Sequence, residues 1–136
     1  MGQTMRVTDW DIFLWDYIDA ARDTPFEWGR NDCATWVADW RALITGQDAA
    51  SAWRGKYKTE RGALRQIKRA GFKTMPDWVD SILGARLKTP LLARRGDIAL
   101  VQDALGIVTG AQVAALSPEG VVFFRLDEAQ AAWRVE

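Results

Sequence analysis

The fold class is decided by residues 96–126, which read GDIALVQDALGIVTGAQVAALSPEGVVFFRL. Four short runs in this stretch are rich in Val, Ile, Leu and Phe, and they are separated by Gly, Asp or the group Ser-Pro-Glu-Gly. Runs of this kind, bounded by turn residues, are typical of consecutive antiparallel strands. We therefore predict a small antiparallel β-sheet over about residues 97–126.

The chain before this stretch has helical periodicity instead. Apolar residues recur at offsets of three and four between Trp10 and Ala21, with Thr8 as a candidate N-cap and Pro25 as the residue that ends the helix. After a loop at residues 28–30, a second helix is predicted to begin at the caps Asn31 and Asp32 and to end at Gly46. Its apolar stripe consists of Cys33, Trp36, Val37, Trp40 and Ile44.

Further helical segments are predicted in the middle of the chain. They comprise a short piece near residues 48–53, a helix over about 60–70 with Thr59 as N-cap and Gly71 at its end, and a helix over 76–83. The stretch LDEAQAAWRV is expected to form one or two helical turns. Helices followed by a strand meander predict an α+β domain, with a helical part over about 8–84 and a strand part over about 97–126.

Length and composition favour one water-soluble domain over residues 1–136. A chain of 136 residues suits one hydrophobic core. Its apolar runs are far shorter than the roughly 18 residues that a membrane span requires, and its first residues do not resemble a secretory signal. A single cysteine excludes an internal disulfide and is typical of a reducing compartment.

Charge is balanced overall but unevenly distributed. The chain has 18 basic and 18 acidic residues, and residues 54–73 contain eight bases and one acid. A protein that binds nucleic acid usually has a wider basic face and a positive net charge. A solvated helix face is therefore the favoured interpretation, and we expect no specific nucleic-acid partner.

The absence of histidine excludes most metal chemistry. Zinc and iron sites need His or several Cys, and the chain has no His and one Cys. It also contains no P-loop, dinucleotide fingerprint or calcium loop. We therefore expect no metal and no cofactor.

Cys33 is the candidate nucleophile because it is placed at the first turn of the second helix. Free N–H groups and a partial positive charge at a helix N-terminus lower the pKa of a thiol and stabilise an oxyanion. The alternative is an inert thiol in the core, since free Cys is among the most buried residue types. The pattern alone leaves both interpretations open.

The motifs around Cys33 resemble a known family. The segment FEWGRNDCA at 26–34, followed by a helix and later by residues 95–100 and 105–108, resembles the NlpC-type cell-wall endopeptidases of papain-like fold. The set WGRNDC, ADW, TG, YKTERGALRQIKRAGF, GDIAL and AWRV, in this order, resembles more closely a small phage and prophage family encoded among tail genes. The resemblance covers about residues 9–135 and implies a papain-like NlpC-type fold.

The resemblance also implies a catalytic arrangement that this chain does not complete. Cys33 stands at the nucleophile position, Ala104 stands where the family has its His base, and the residue that orients this His falls near Ala114. Asp103 is a poor substitute, because moving a proton from a thiol to a carboxylate is uphill by roughly 6 kcal/mol, and Gln102 cannot accept a proton. Two routes would restore a base, namely a carboxyl group whose pKa is raised by burial and a His from another subunit.

Several other residues are candidates for binding. Trp28 and Asp32 belong to the family motif, and Trp53 with Tyr57 forms a predicted contact patch for another protein, because exposed aromatic residues often anchor interfaces. Trp15 and the basic residues around Tyr57 extend this patch, namely Arg54, Lys56 and Lys58. Most other Trp residues are expected in the core, and Asp97 is expected to cap a turn.

These observations favour a structural or assembly protein of a bacteriophage or prophage tail, near the tail tip, with a catalytically impaired NlpC-like domain. Its expected partners are other tail proteins, and a peptide segment or peptidoglycan is a further candidate. The expected location is the host cytoplasm during assembly and then the virion tail. The alternative is an active cysteine peptidoglycan hydrolase that aids DNA entry, with Cys33 as nucleophile and an unconventional base.

Overall fold

A computed structural model describes residues 6–48, 50–51 and 53–136, and its helices precede its sheet along the chain. The α-helices are α1 (Trp10–Ala20), α2 (Cys33–Thr45), α3 (Glu60–Arg69) and α4 (Met75–Leu83). The strands are β1 (Ile98–Val101), β2 (Ala104–Val108), β3 (Gln112–Ser117), β4 (Gly120–Arg125) and β5 (Ala131–Trp133). The predicted α+β class is confirmed.

The strands form one antiparallel sheet in the order β4-β3-β2-β1-β5. The first four strands coincide with the four apolar runs. A two-residue turn joins β1 to β2, and its residues Gln102 and Asp103 have positive φ angles of 50° and 65°. Such angles match the twist of a tight hairpin, and the hairpin brings Asp103 and Ala104 to one end of the sheet.

The last strand corrects the prediction of a C-terminal helical turn. Only Leu126–Glu128 are helical in this stretch, as a 3₁₀ turn, and β5 follows and pairs with β1 through contacts such as Ala99 with Ala132. Trp133 and Ala132 are fully buried. Because a three-residue strand gains its stability from a partner about thirty residues away, local periodicity carries little signal for it.

Helix α2 packs across the sheet and forms the centre of the core. Trp40 and Ile44 are fully buried, as their stripe predicted, and Trp40 Nε1 donates a hydrogen bond of 2.9 Å to the carbonyl of Gly96. Gly46 ends the helix with a φ of 78°. The helix therefore holds its first residue, Cys33, against the sheet.

Two local predictions are wrong. Helix α1 begins after Asp9, which has a φ of 62° and no side-chain cap, and not after Thr8, while Phe13 on its predicted apolar face is 40% exposed. The expected helical piece near 48–53 is absent from the described residues of that stretch, which form turns, and residues 49 and 52 lie outside the described chain. Helices α3 and α4 begin at the N-caps Thr59 and Thr74, close to the predicted bounds.

Asp97 joins segments that are far apart in the sequence. Its carboxylate is fully buried and accepts hydrogen bonds from Arg6 Nη2 at 2.6 Å, from the Arg94 N–H at 2.8 Å and from the Val135 N–H at 3.0 Å. Arg134 Nε lies 3.5 Å from the same carboxylate. Asp97 thus caps a turn, as expected, and also holds residues 6 and 135 against the start of β1.

No helix within the described chain is long and apolar enough to cross a bilayer.

Candidate functional site

Cys33 lies at the first position of α2, where a capping box fixes the start of the helix. The Asp32 side chain accepts a hydrogen bond of 2.9 Å from the Thr35 N–H, and the Thr35 hydroxyl accepts one of 2.8 Å from the Asp32 N–H. This reciprocal pair satisfies two backbone donors that a helix start leaves open. The predicted cap Asp32 is therefore correct, whereas Asn31 donates its side-chain amide to the carbonyl of Pro25 instead.

Asp32 is a buried carboxylate whose neighbours are uncharged donors. Its second oxygen accepts hydrogen bonds from the Gly29 N–H at 2.8 Å and from the Tyr57 hydroxyl at 2.6 Å, and only 1% of its surface is exposed. Burial, together with this hydrogen bond to Asp32, raises the pKa of the Tyr57 phenol. Tyr57 therefore remains a protonated donor, and it connects α2 to the segment before α3.

A cavity of about 180 Å³ opens beside Cys33, between α2, α3 and α4. All four predicted binding residues line it together with the thiol, namely Trp28, Asp32, Trp53 and Tyr57. The opposite wall was not foreseen from the sequence and consists of Ala63, Gln66, Ile67, Ala70, Met75 and Trp78. The apolar stripe of α3 was the available signal for this wall, because a polar helix with one apolar edge needs something to cover that edge.

The prediction that Trp53 and Tyr57 form an exposed contact patch is wrong. Trp53 is 9% exposed and Tyr57 is 8% exposed, and their rings stack at a centroid distance of 6.5 Å. The Trp53 Nε1 atom is buried without a hydrogen-bond acceptor in the described part of the chain. Trp15, by contrast, is 47% exposed. The two buried rings therefore form an inner wall of the cavity.

Arg54, which was placed in the same patch, forms ion pairs. Its Nη2 atom lies 2.7 Å from Asp39 and 3.3 Å from Asp48. These partners are partly exposed, so the pairs contribute little to stability. Arg54 thereby links the turn that carries Trp53 to Asp39 of α2.

The surroundings of Cys33 keep its thiol protonated. Cys33 is half-buried, and desolvation raises the pKa of its thiol to about 11, while the negative charge of Asp32 acts in the same direction. The N–H groups of Leu105 and Ala34 oppose this shift in pKa but do not cancel it. At pH 7 only about one thiol in ten thousand is then ionised. Desolvation thus outweighs the helix N-terminus, and of the two interpretations that the sequence left open the activated thiol is disfavoured.

The start of β2 lies against the Cys33 thiol, because the N–H of Leu105 is close enough to stabilise the thiolate. Residues Ala104 and Leu105 of this strand have no basic side chain. Ala104, the predicted position of the His, is the preceding residue, and because side chains alternate along a strand its methyl group lies on the sheet face of Val101, not on the face of Leu105 that packs against α2. Ala114 pairs with Ile107 on β2, three residues beyond Ala104 and therefore about 10 Å along the strand. The two predicted vacant positions consequently do not face each other across the sheet.

Four carboxylates line the cavity or the groove that contains Cys33, namely those of Asp32, Glu60, Asp77 and Asp103. Asp77 is paired with Arg86 at 3.1 Å. Both oxygens of Asp32 accept the hydrogen bonds described above, from Thr35, Gly29 and Tyr57. Asp103 is exposed and lines an open groove that also contains Cys33. The described residues contain no cluster of three or more His, Cys, Asp or Glu side chains that could hold a metal ion.

Comparison with protein families gives one match over nearly the whole chain. Residues 5–135 match the model of a family described as a domain of unknown function, DUF6950. The chain belongs to the DUF6950 family. No curated protein and no solved structure matches the chain. For this DUF6950 domain, chemistry must therefore be inferred from the geometry of the site.

The reactivity of Cys33 provides a direct check of this geometry. We expect alkylation of the folded DUF6950 domain by iodoacetamide to be slow at pH 7 and to accelerate about tenfold per pH unit until the pH approaches 11. The reason is that only the thiolate reacts. Mass spectrometry of the labelled protein over pH 7–11 measures the rate, and the urea-unfolded chain is the control. A folded-state plateau near pH 8 would contradict the raised pKa of this half-buried thiol.

Proposed function

We propose that this chain is a structural or assembly component of a bacteriophage or prophage tail, built on a papain-like NlpC-type domain that no longer cleaves amide bonds. The ordered set of motifs from WGRNDC to AWRV supports the tail family. A Cys at the first turn of a helix, with that helix packed on an antiparallel sheet, supports the papain-like fold. In this proposal the chain is made in the host cytoplasm and ends in the virion tail.

The observation that carries the loss of activity is the proton chemistry of Cys33. The thiol has a pKa of about 11, and the side chain at the start of β2 that packs on the α2 side of the sheet is the apolar Leu105, which cannot act as a base. Amide cleavage by a thiol needs a base to form the thiolate and an acid to protonate the leaving amine. Histidine does both in such enzymes, and this chain contains none. A well-placed sulfur atom is therefore left without its proton shuttle.

The cavity beside Cys33 is suited to binding. Three indoles and a phenol border it, contributed by Trp28, Trp53, Trp78 and Tyr57. Sites of this kind bind apolar groups through the rings and orient them with a few polar atoms. The proposed role is therefore to hold an apolar side chain of a peptide segment or of a neighbouring tail subunit without cleaving it.

An activity assay with three proteins tests the loss of hydrolysis. We expect purified wild type and Cys33→Ala to release the same background of peptides from peptidoglycan fragments, as measured by liquid chromatography and mass spectrometry. Asp103→Asn is the third protein, because Asp103 lines the same groove as Cys33. Release that requires both Cys33 and Asp103 would establish the alternative, a hydrolase with an unconventional base.

Virion analysis tests the structural role. The gene carrying Cys33→Ala replaces the wild-type gene in the phage or lysogen that encodes it, and purified particles are examined by mass spectrometry and by plating. We expect the variant protein in the particles at the wild-type level and an unchanged titre. Particles that lack the wild-type protein altogether would contradict a virion component.

A further inference from the structure

The two edges of the sheet are treated differently. The outer edge of β5 is covered, since the Leu87 N–H donates a hydrogen bond of 2.8 Å to the carbonyl of Ala132. No strand in the described chain pairs with the outer edge of β4, which reads GVVFFR and leaves Phe123 45% exposed. An open apolar edge of six residues is a template for another strand. This edge therefore requires either a partner or protection.

The backbone pattern shows which groups β4 offers. The Leu126 N–H donates to the carbonyl of Ala111 on the β3 side. Because N–H and C=O groups alternate in direction along an antiparallel strand, the groups of Arg125, Phe123 and Val121 point away from β3. A further antiparallel strand must pair with these odd-numbered positions. This requirement excludes half of all registers.

We propose that β4 pairs with β4 of a second copy of this chain, antiparallel and with the two-fold axis at Val122. In this register Val121 of one copy forms a hydrogen-bonded pair with Phe123 of the other, and Glu119 stands opposite Arg125 on each side of the axis. Arg125 is also ion-paired with Asp127 of its own chain, so Glu119 of the partner adds a second acid to this guanidinium. Opposite charges in facing positions stabilise a strand pair. The proposal does not depend on the proposed function.

A neighbouring register, with the two-fold axis at Phe123, satisfies the same backbone rule but is less favourable. Centring the axis on Phe123 would place Glu119 opposite Asp127, and like charges that face each other destabilise a strand pair. The Val122 register also places Phe124 opposite Gly120, where an aromatic ring covers a glycine that has no side chain of its own. The occupant that best matches this edge in charge and shape is consequently the same edge. Pairing would join two five-stranded sheets into one.

Charge exchange tests the partner and the register together. We expect wild type to be a dimer by sedimentation equilibrium at micromolar concentration. Arg125→Glu, which sets Glu against Glu twice, should weaken the dimer roughly tenfold or more. The double variant Glu119→Arg, Arg125→Glu exchanges the charges and should restore dimerisation. A wild-type protein that remains monomeric up to several hundred micromolar, or a double variant as weak as the single one, would overturn the proposal.

Cross-linking tests the position of the axis. In a Cys33→Ala background, Val122→Cys places two thiols in a non-hydrogen-bonded pair, with Cα atoms about 4.5 Å apart and thus within disulfide reach. Phe123→Cys is the matched control, because its two thiols lie diagonally at about 7 to 8 Å. We expect diamide to produce covalent dimers at least about tenfold faster for Val122→Cys. Faster cross-linking of Phe123→Cys would overturn the register.

Discussion

Replacing Asp97 with asparagine is expected to lower the free energy of unfolding by about 3 to 5 kcal/mol. Both carboxylate oxygens are acceptors, since one receives the Arg94 N–H and the other receives Arg6 and the Val135 N–H. An amide has one acceptor oxygen, so either orientation of the new side chain sets its NH₂ group against a donor. The substitution also removes the negative charge opposite the Arg6 guanidinium, whose side chain is 7% exposed.

Urea unfolding followed by Trp fluorescence measures this effect, and Asp103→Asn is its matched control. Asp103 is an exposed acid in the turn after β1, and its φ of 65° is one that asparagine also adopts readily. We expect the control to change the free energy of unfolding by less than about 0.5 kcal/mol. Equal effects of the two substitutions would show that the buried network around Asp97 does not hold residues 6 and 135 as described.

The second large effect is expected for Gly29→Ala, which should cost more than about 3 kcal/mol of the free energy of unfolding. A Cβ atom at Gly29 would lie 2.1 Å from the carbonyl oxygen of Tyr57, a backbone atom that cannot move aside alone. Gly29 also has a φ of 85°. Relieving the clash would displace Tyr57 from Asp32, so the cavity beside Cys33 should change shape as well.

Gly46→Ala measures the backbone part of this effect, so the difference between the two variants gives the steric part. Gly46 has a similar φ of 78°, but a Cβ atom there meets nothing within 4 Å. Its substitution should therefore cost only the backbone term, about 1 to 2 kcal/mol. Chemical denaturation of both variants gives the difference between their free energies of unfolding. A loss at Gly29 no greater than that at Gly46 would refute the close approach of Gly29 to Tyr57.

The burial of Trp53 and Tyr57 shows what a local pattern misses outside regular elements. Trp53 is predicted to be exposed because it fits its helical stripe poorly, and Tyr57 because it lies nearby in the sequence, whereas both are buried. A loop residue has no periodicity that reveals its exposure, and here Trp53 and Tyr57 pack against Ala38 of α2 in one apolar cluster. Burial in such a segment depends on what the rest of the chain covers.

Local pattern by itself determined the order of the four α-helices and of the first four strands. The apolar stripe and capping residues of α2, the N-cap of α3 and the four strand runs after Gly96 each express an interaction within about one turn or one hairpin. The absence of histidine likewise removed the usual proton shuttle before any geometry was known. These features depend on neighbours in the sequence or on composition, so they can be read directly.

Only the tertiary structure decided what surrounds those elements. The strand β5, the network of Asp97 with Arg6 and Val135, and the burial that raises the pKa of Cys33 to about 11 all join residues far apart along the chain. A helix N-terminus alone favours a thiolate, yet desolvation and the charge of Asp32 reverse that tendency. The physical reason is that solvation is a property of the packed surroundings, and packing is set by contacts that no local window contains.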